Sequence, residues 1–245
     1  MIRTIFVYAT VVGFLILSIP LLIVEWIIGK FNPELKSKSS LKIVNAAFKL
    51  ILWEAGVTTT VLGEENVPKD KAVLYVANHR SYFDILVTYV RVPRPTGYVA
   101  KKEMEKIPLL SNWMRYLHCL FLNRKDVKEG LKTILTGVEQ IKNGISVCIF
   151  PEGTRNSGDE LTMLPFKEGS FKMASKSGCP IIPIAINNSA QIWEAHLPSM
   201  KKTHVVIEYG KPIIMKELPK EDQKAIGAYC QKQIEDMLKK NKELV

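Results

Sequence analysis

The chain opens on an apolar stretch. Ile5 to Ile28 is nearly unbroken in hydrophobic character, interrupted by Pro20 and Glu25. As a single helix its ~24 residues predict a rod of ~36 Å, long enough for a bilayer core of ~30 Å. Pro20 predicts a kink in it. Glu25 lies near its end, where a charge reaches the interface at low cost. The stretch makes a poor signal peptide: Arg3 is the only early positive charge, the apolar core is too long, and no small-x-small cleavage site follows. From Pro33 to Ala55 the pattern changes. Leu41, Val44, Phe48, Ile51, Leu52 and Trp53 recur at helical spacing, and Lys36, Lys38, Lys42 and Lys49 fill the other face. This predicts an amphipathic helix that either lies in a membrane interface or packs on the following domain. Residues 1–57 are therefore expected to form a membrane-associated two-helix segment, with a folded domain over 58–245.

From Thr58 onward, short apolar runs alternate with helical patterns. Strands are predicted at Thr58–Leu62, Val73–Ala77, Thr96–Lys101, Cys119–Asn123, Ile145–Phe150, Ile181–Ile186 and Val205–Tyr209. Helices are predicted at Phe83–Val92, Leu109–Leu117, Val127–Lys142, Gly169–Ser177 and Lys220–Lys240. Such alternation specifies an α/β fold with a mostly parallel or mixed central sheet flanked by helices. The charged tail Lys239–Glu243 reads as a frayed, solvated helix end.

Composition narrows the partners. The chain is 47% hydrophobic and 24% charged, as a folded protein is, and its net charge of +10 calls for an anionic partner. No zinc-finger spacing, aromatic single-strand signature or basic heptad helix is present, so no nucleic-acid partner is expected. With the hydrophobic N-terminus, the charge points to anionic lipid. Cys119, Cys148, Cys179 and Cys230 are widely spaced, and the first three lie in or beside apolar runs. They read as small buried thiols in a reducing compartment. The four histidines show no ligand spacing, and no metal is expected.

Two polar loops carry the chemistry. Asn78-His79-Arg80-Ser81-Tyr82-Phe83-Asp84 follows the strand pattern ending at Ala77. On one continuous helix His79 and Asp84 would stand about 140° apart, and on one strand they would face opposite sides. A strand ending near His79, then a turn and a helix, instead lets Asp84 lean back onto the imidazole, giving a base and its orienter. The same residues also fit a plain helix start, with Ser81 as N-cap. The second loop, Phe150-Pro151-Glu152-Gly153-Thr154-Arg155, follows the strand pattern ending near Ile149. Pro151 stops the strand, Gly153 permits a turn, and Arg155 offers a planar fork suited to phosphate.

These two loops, in this order, resemble the first and third conserved blocks of the glycerolipid acyltransferase family, the PlsC-type lysophosphatidic acid acyltransferases of bacteria. The segments Lys101-Lys102-Glu103-Met104-Glu105-Lys106-Ile107-Pro108 through Phe121-Leu122-Asn123-Arg124, and Cys179-Pro180-Ile181-Ile182-Pro183, are similar to the second and fourth blocks. Ser111 and His118 stand where glycine is common in that family. The resemblance implies a glycerolphosphate acyltransferase-like fold behind a membrane hairpin that dips into one leaflet, and the lysines after the apolar stretch place the domain on the cytoplasmic side of the cell membrane. It implies acyl transfer from acyl-CoA or acyl carrier protein to lysophosphatidic acid, with no cofactor beyond that co-substrate. His79 is then the general base and Asp84 its orienter. Lys101 or Lys102, Arg124 and Arg155 are the implied phosphate cations, with Gly153 and Thr154 as further donors. Glu152 either binds the glycerol hydroxyl or anchors its loop. No Gly-x-Ser-x-Gly nucleophile setting is present, which favours direct attack over an acyl-enzyme. Another glycerol-phosphate or lysolipid acceptor, or a non-catalytic lipid-binding protein, remain the alternatives.

Overall fold

The structure, a computed structural model, describes residues Met1–Val245. The long apolar stretch forms two helices, α1 (Ile2–Leu17) and α2 (Ile19–Phe31), bent by 48° where they meet, and no single helix is long and apolar enough to cross a membrane. The kink expected at Pro20 is present, and it divides the stretch into two helices. Pro20 sits in the first turn of α2, where its missing N–H is harmless, but its ring is incompatible with the Ile16 carbonyl of a continuing helix. Helix α1 alone reaches only about 24 Å. Glu25 is corrected. It does not reach outward but is 2% exposed, accepting the Ser39 hydroxyl of α3 (Pro33–Ala55) at 2.8 Å. The N-terminal segment thus holds three helices rather than two.

Helix α3 is delimited by its own sequence. The Asn32 side chain accepts from Leu35 N–H at 2.9 Å, Pro33 opens the first turn, and Gly56 closes the helix at φ 74°. Ser37, Ser40, Val44, Ile51, Leu52 and Ala55 are buried, so α3 packs on the domain while Lys38, Lys42 and Lys49 stay exposed.

All seven predicted strands form, with ends shifted by two residues at most: β1 (Val57–Leu62), β2 (Leu74–Ala77), β3 (Thr96–Lys101), β4 (Leu120–Leu122), β5 (Ser146–Ile149), β6 (Ile181–Asn187) and β7 (Thr203–Tyr209). They build one mixed sheet in the order β1-β7-β6-β2-β5-β3-β4. Strands β6, β2, β5, β3 and β4 are mutually parallel, β7 runs antiparallel to β6, and β1 pairs parallel with β7. Alternate side chains enter two cores, as the strand period requires. Tyr75, Ala77, Cys148, Ile182 and Ile184 face one side with α1, α2, α3, α4 (Phe83–Tyr89) and α5 (Leu110–Tyr116). Leu74, Val76, Val147, Ile149 and Ile181 face the other with α6 (Val127–Lys142), α7 (Lys172–Ser177) and the C-terminal helix. The central strands are buried throughout, as parallel strands covered on both faces must be.

The predicted C-terminal helix divides at Ala225 into α8 (Lys220–Lys224) and α9 (Ile226–Lys240). Its end is not frayed: Asn241 is fully buried and donates to Glu208 at 2.8 Å, while Lys240 pairs with the same carboxylate at 2.7 Å. Cys148, Cys179 and Cys230 are buried, and Cys119 is half-buried.

Candidate active site

The parallel strands β2, β5, β3 and β4 discharge their loops at one edge of the sheet. His79 lies two residues past β2, Glu152 three past β5, Lys101 ends β3, and Arg124 lies two past β4. Three strand spacings separate β2 from β4, so the edge spans about 14 Å. Asn78 fixes the exit of β2, its amide donating to Ile186 O and accepting from Ile186 N, each at 2.9 Å.

The turn after β2 does what the spacing required. Helix α4 begins at Phe83, and Asp84 in its first turn leans back so that Oδ2 lies 2.8 Å from His79 Nδ1. The same oxygen accepts the N–H groups of Arg80 at 2.7 Å and Ser81 at 2.8 Å. Asp84 is fully buried, whereas the His79 side chain keeps 15% of its surface. A carboxylate only accepts, so the ring gives it Nδ1–H and carries its lone pair on Nε2. Ser81 is not the N-cap in the expected sense. Tyr82 precedes the helix, and the Ser81 hydroxyl accepts from Phe83 N–H at 3.0 Å.

The β5 loop holds His79 from three sides. Glu152 Oε1 accepts His79 N–H at 2.8 Å, Asn156 N–H donates to His79 O at 2.7 Å, and the Phe150 ring stacks on the imidazole with centroids 4.1 Å apart. Arg80 is bound to the same loop, donating to Gly158 O and Asp159 O. Glu152 Oε2 takes Leu164 N–H at 2.8 Å, so both its oxygens serve backbone, which favours the anchoring alternative. Burial pushes this carboxyl above the usual range, against the pull of those two N–H donors. Gly153 is at φ 75°, where other residues are strained. Its N–H is taken by Phe150 O at 3.0 Å, so its part in the loop is conformational and the expected donation is corrected. Thr154 is exposed.

The cations divide. Arg155 lies over the Tyr82 ring, 3.8 Å from its centroid, and pairs with Glu194 at 3.2 Å. Lys101 and Arg124 are exposed. Lys102 does not join them, because Glu129 at 2.7 Å and Glu105 at 2.9 Å hold its ammonium. Sequence reading missed Glu194, Asn156 and the stacking role of Phe150. No local signal marks Glu194, which arrives in a short turn after β6, whereas Phe150 opens the motif already singled out and Asn156 follows it.

An imidazole with a free Nε2, oriented by a buried carboxylate beside exposed cations, suits proton abstraction from a hydroxyl on an anionic substrate. The sequence model of the Acyltransferase family matches residues 58–187, more than half of the chain, and the chain belongs to that family. Among its relatives is the 1-acyl-sn-glycerol-3-phosphate acyltransferase of Saccharomyces cerevisiae, 33% identical over 190 residues that cover 77% of this chain and 61% of the relative. The protein of that name from Salmonella typhimurium is 31% identical over 166 residues, covering 67% of this chain and 66% of that one. The chain thus spans about three fifths to two thirds of such curated relatives. The crystal structure of the 1-acyl-sn-glycerophosphate (LPA) acyltransferase PlsC from Thermotoga maritima superposes with a TM-score of 0.80 at 25% identity, covering 98% of this chain and 95% of that one.

Proposed function

We propose that the chain transfers a fatty acyl group from a thioester of coenzyme A or acyl carrier protein to the sn-2 hydroxyl of lysophosphatidic acid, yielding phosphatidic acid. The observation that carries this reading is the 2.8 Å contact between His79 Nδ1 and Asp84 Oδ2, which leaves Nε2 free. A hydroxyl titrates far above neutrality and attacks only as a base removes its proton. His79 Nε2 takes that proton, and Asp84 holds the tautomer and stabilises the imidazolium. The oxygen adds to the thioester carbonyl and the thiolate leaves with little acid assistance. No acyl-enzyme is invoked: Cys148 is fully buried with its thiol pushed up by burial, and Ser81 hydroxyl is committed to Glu194 at 2.6 Å. Arg155 and Lys101 clamp the acceptor phosphate, and Arg124 extends the cationic edge away from His79.

The acceptor lives in a membrane, and the surface for reaching it is α1 and α2. Ile5, Phe6, Ile16, Leu17, Ile23, Trp26 and Ile27 are all exposed there. Bent by 48°, the two helices run one way and α3 doubles back along them, joined by Ser39 to Glu25 and by Glu54 to Thr10, an arrangement that fits a hairpin seated in one leaflet with the lysines of α3 at an anionic, cytoplasmic surface. The deciding experiment is an acyl-transfer assay of the purified protein, offering both thioester donors against a panel of lysolipids and glycerol-3-phosphate. Phosphatidic acid as the dominant product is expected. A different dominant acceptor overturns the assignment of substrate, and activity retained by His79→Ala overturns the base.

A further inference from the structure

We propose that Glu194 is a positioning residue that joins the clamp on the acceptor phosphate to the turn bearing Asp84, an inference that rests on the function proposed above. After β6 the chain makes two single-turn helices, Ser189–Ile192 and Glu194–His196. The second delivers one carboxylate to three donors. Glu194 Oε1 accepts Tyr82 N–H at 2.8 Å and Arg155 Nη1–H at 3.2 Å, and Oε2 accepts the Ser81 hydroxyl at 2.6 Å.

Each contact has a separate consequence. Tyr82 N–H is one of the orphan donors at the start of α4 and Glu194 takes it, while the hydroxyl of the fully buried Ser81 needs an acceptor. Supplying it fixes the turn within three residues of Asp84. The Arg155 guanidinium is fixed on its face by the Tyr82 ring and at one nitrogen by Glu194, which leaves Nε and Nη2 to fork onto an anion. The turn is itself seated on α1, since Trp193 lies between Tyr82 and Tyr8 with ring centroids 6.0 and 5.9 Å away. A glutamate suits the position because it only accepts. A glutamine would turn an NH2 group toward one of the three donors and lose the charge facing Arg155.

A purely structural cap and a positioning residue predict different kinetics. The test is a cycle of Glu194→Gln, Arg155→Ala and the double variant in the full-length protein, read as acceptor KM, kcat and melting temperature. Glu194→Gln is expected to raise the KM for lysophosphatidic acid about tenfold while kcat falls less than about threefold. In the Arg155→Ala background the same substitution is expected to raise KM less than about twofold, because its effect runs through the arginine. Equal factors in both backgrounds, or an unchanged KM in a folded Glu194→Gln protein, overturn the proposal. Should Glu194→Gln melt far below the parent, Glu194→Asp keeps the charge and is read in the same cycle. If that variant also fails to fold, Glu194 is a structural cap and the proposal falls. A parent enzyme that acylates no phosphorylated acceptor overturns the functional reading and this inference with it, whereas an active parent with an additive cycle overturns this inference alone.

Discussion

Glu152 accepts the backbone N–H of His79 at 2.8 Å, so the residue that leaves β2 is held by a side chain from the loop after β5. Asn156 and Phe150 complete the grip. The imidazole is thereby placed by a neighbouring strand as much as by its own, and the two polar loops behave as one rigid site.

Glu152→Gln tests that grip. One of the two N–H donors now meets an amide NH2, leaving a buried donor unsatisfied at about 1–3 kcal/mol. Burial raises the folded Glu152 above its ordinary value, so its contribution to stability is fully present below about pH 4.5 and is lost as pH rises through the raised value. The gap in unfolding free energy between parent and variant is therefore expected to be wider near pH 4 than near pH 7. Denaturant titrations at the two values check this, and a gap that widens with pH contradicts it.

His79→Ala is expected to lower kcat by about 10²–10⁴ while the protein stays folded, since Glu152 and Asn156 hold the backbone of position 79 and not its ring. Asp84→Asn can still turn its carbonyl toward the three donors on Oδ2, so the turn survives. It cannot stabilise an imidazolium, and a loss of similar order is expected. Single-turnover rates beside circular dichroism separate lost chemistry from lost fold.

The two adjacent lysines should behave differently. Lys102 is neutralised by Glu129 and Glu105, whereas Lys101 is absent from the ion pairs of the chain. Lys101→Ala is expected to raise acceptor KM tenfold or more, the loss of a charged hydrogen bond of about 1.5–3 kcal/mol. Lys102→Ala is expected to change KM less than about threefold, as for an exposed ion pair. Steady-state titrations with lysophosphatidic acid decide between them, and the reverse ranking assigns the clamp to Lys102.

What was legible in the sequence follows locality. The strands announced themselves because each apolar run is bounded by a breaker, and His79 with Asp84 because a strand-turn-helix is the arrangement that brings positions five apart together. The choice between Lys101 and Lys102 was not legible, because beside the nearby Glu105 the second partner of Lys102, Glu129, lies far along the chain, on α6 beyond β4. Glu194 was invisible because a sheet order that sets β6 beside β2 brings it to Ser81. The apolar periodicity of residues 5–28 does not register a break, and only Pro20 hinted at it.

His118 carries a second pH signature. It holds φ 60°, in the left-handed region, and its Nε2 lies 2.6 Å from the Ser37 hydroxyl of α3. Burial, then the Lys36 charge, lowers its pKa. A depressed histidine contributes stability that is fully present above about pH 6.5 and is lost as pH falls through its folded value. His118→Asn tolerates the left-handed backbone and does not titrate. The melting temperature of the parent is expected to fall between about pH 7 and pH 5 more steeply than that of the variant. Parallel slopes would remove His118 as the cause.

The apolar surface of α2 is the lever on the membrane attachment proposed above, because Ile23 and Ile27 are about half exposed and lie one helical turn apart. Serine at both positions deletes side chains that make no essential core contact, each worth roughly 1 kcal/mol of lipid contact at that exposure. Binding to anionic vesicles is expected to weaken about tenfold or more in flotation assays, with melting unchanged. Lys42→Gln with Lys49→Gln should weaken it by about 1 kcal/mol per charge at low salt and little at high salt, since surface attraction is screened. Because neither pair touches His79 or Arg155, turnover of a water-soluble short-chain lysophosphatidic acid is expected to persist in both. Vesicle binding that ignores the isoleucines but follows the lysines would move the membrane contact from the α1–α2 surface to the charged face of α3.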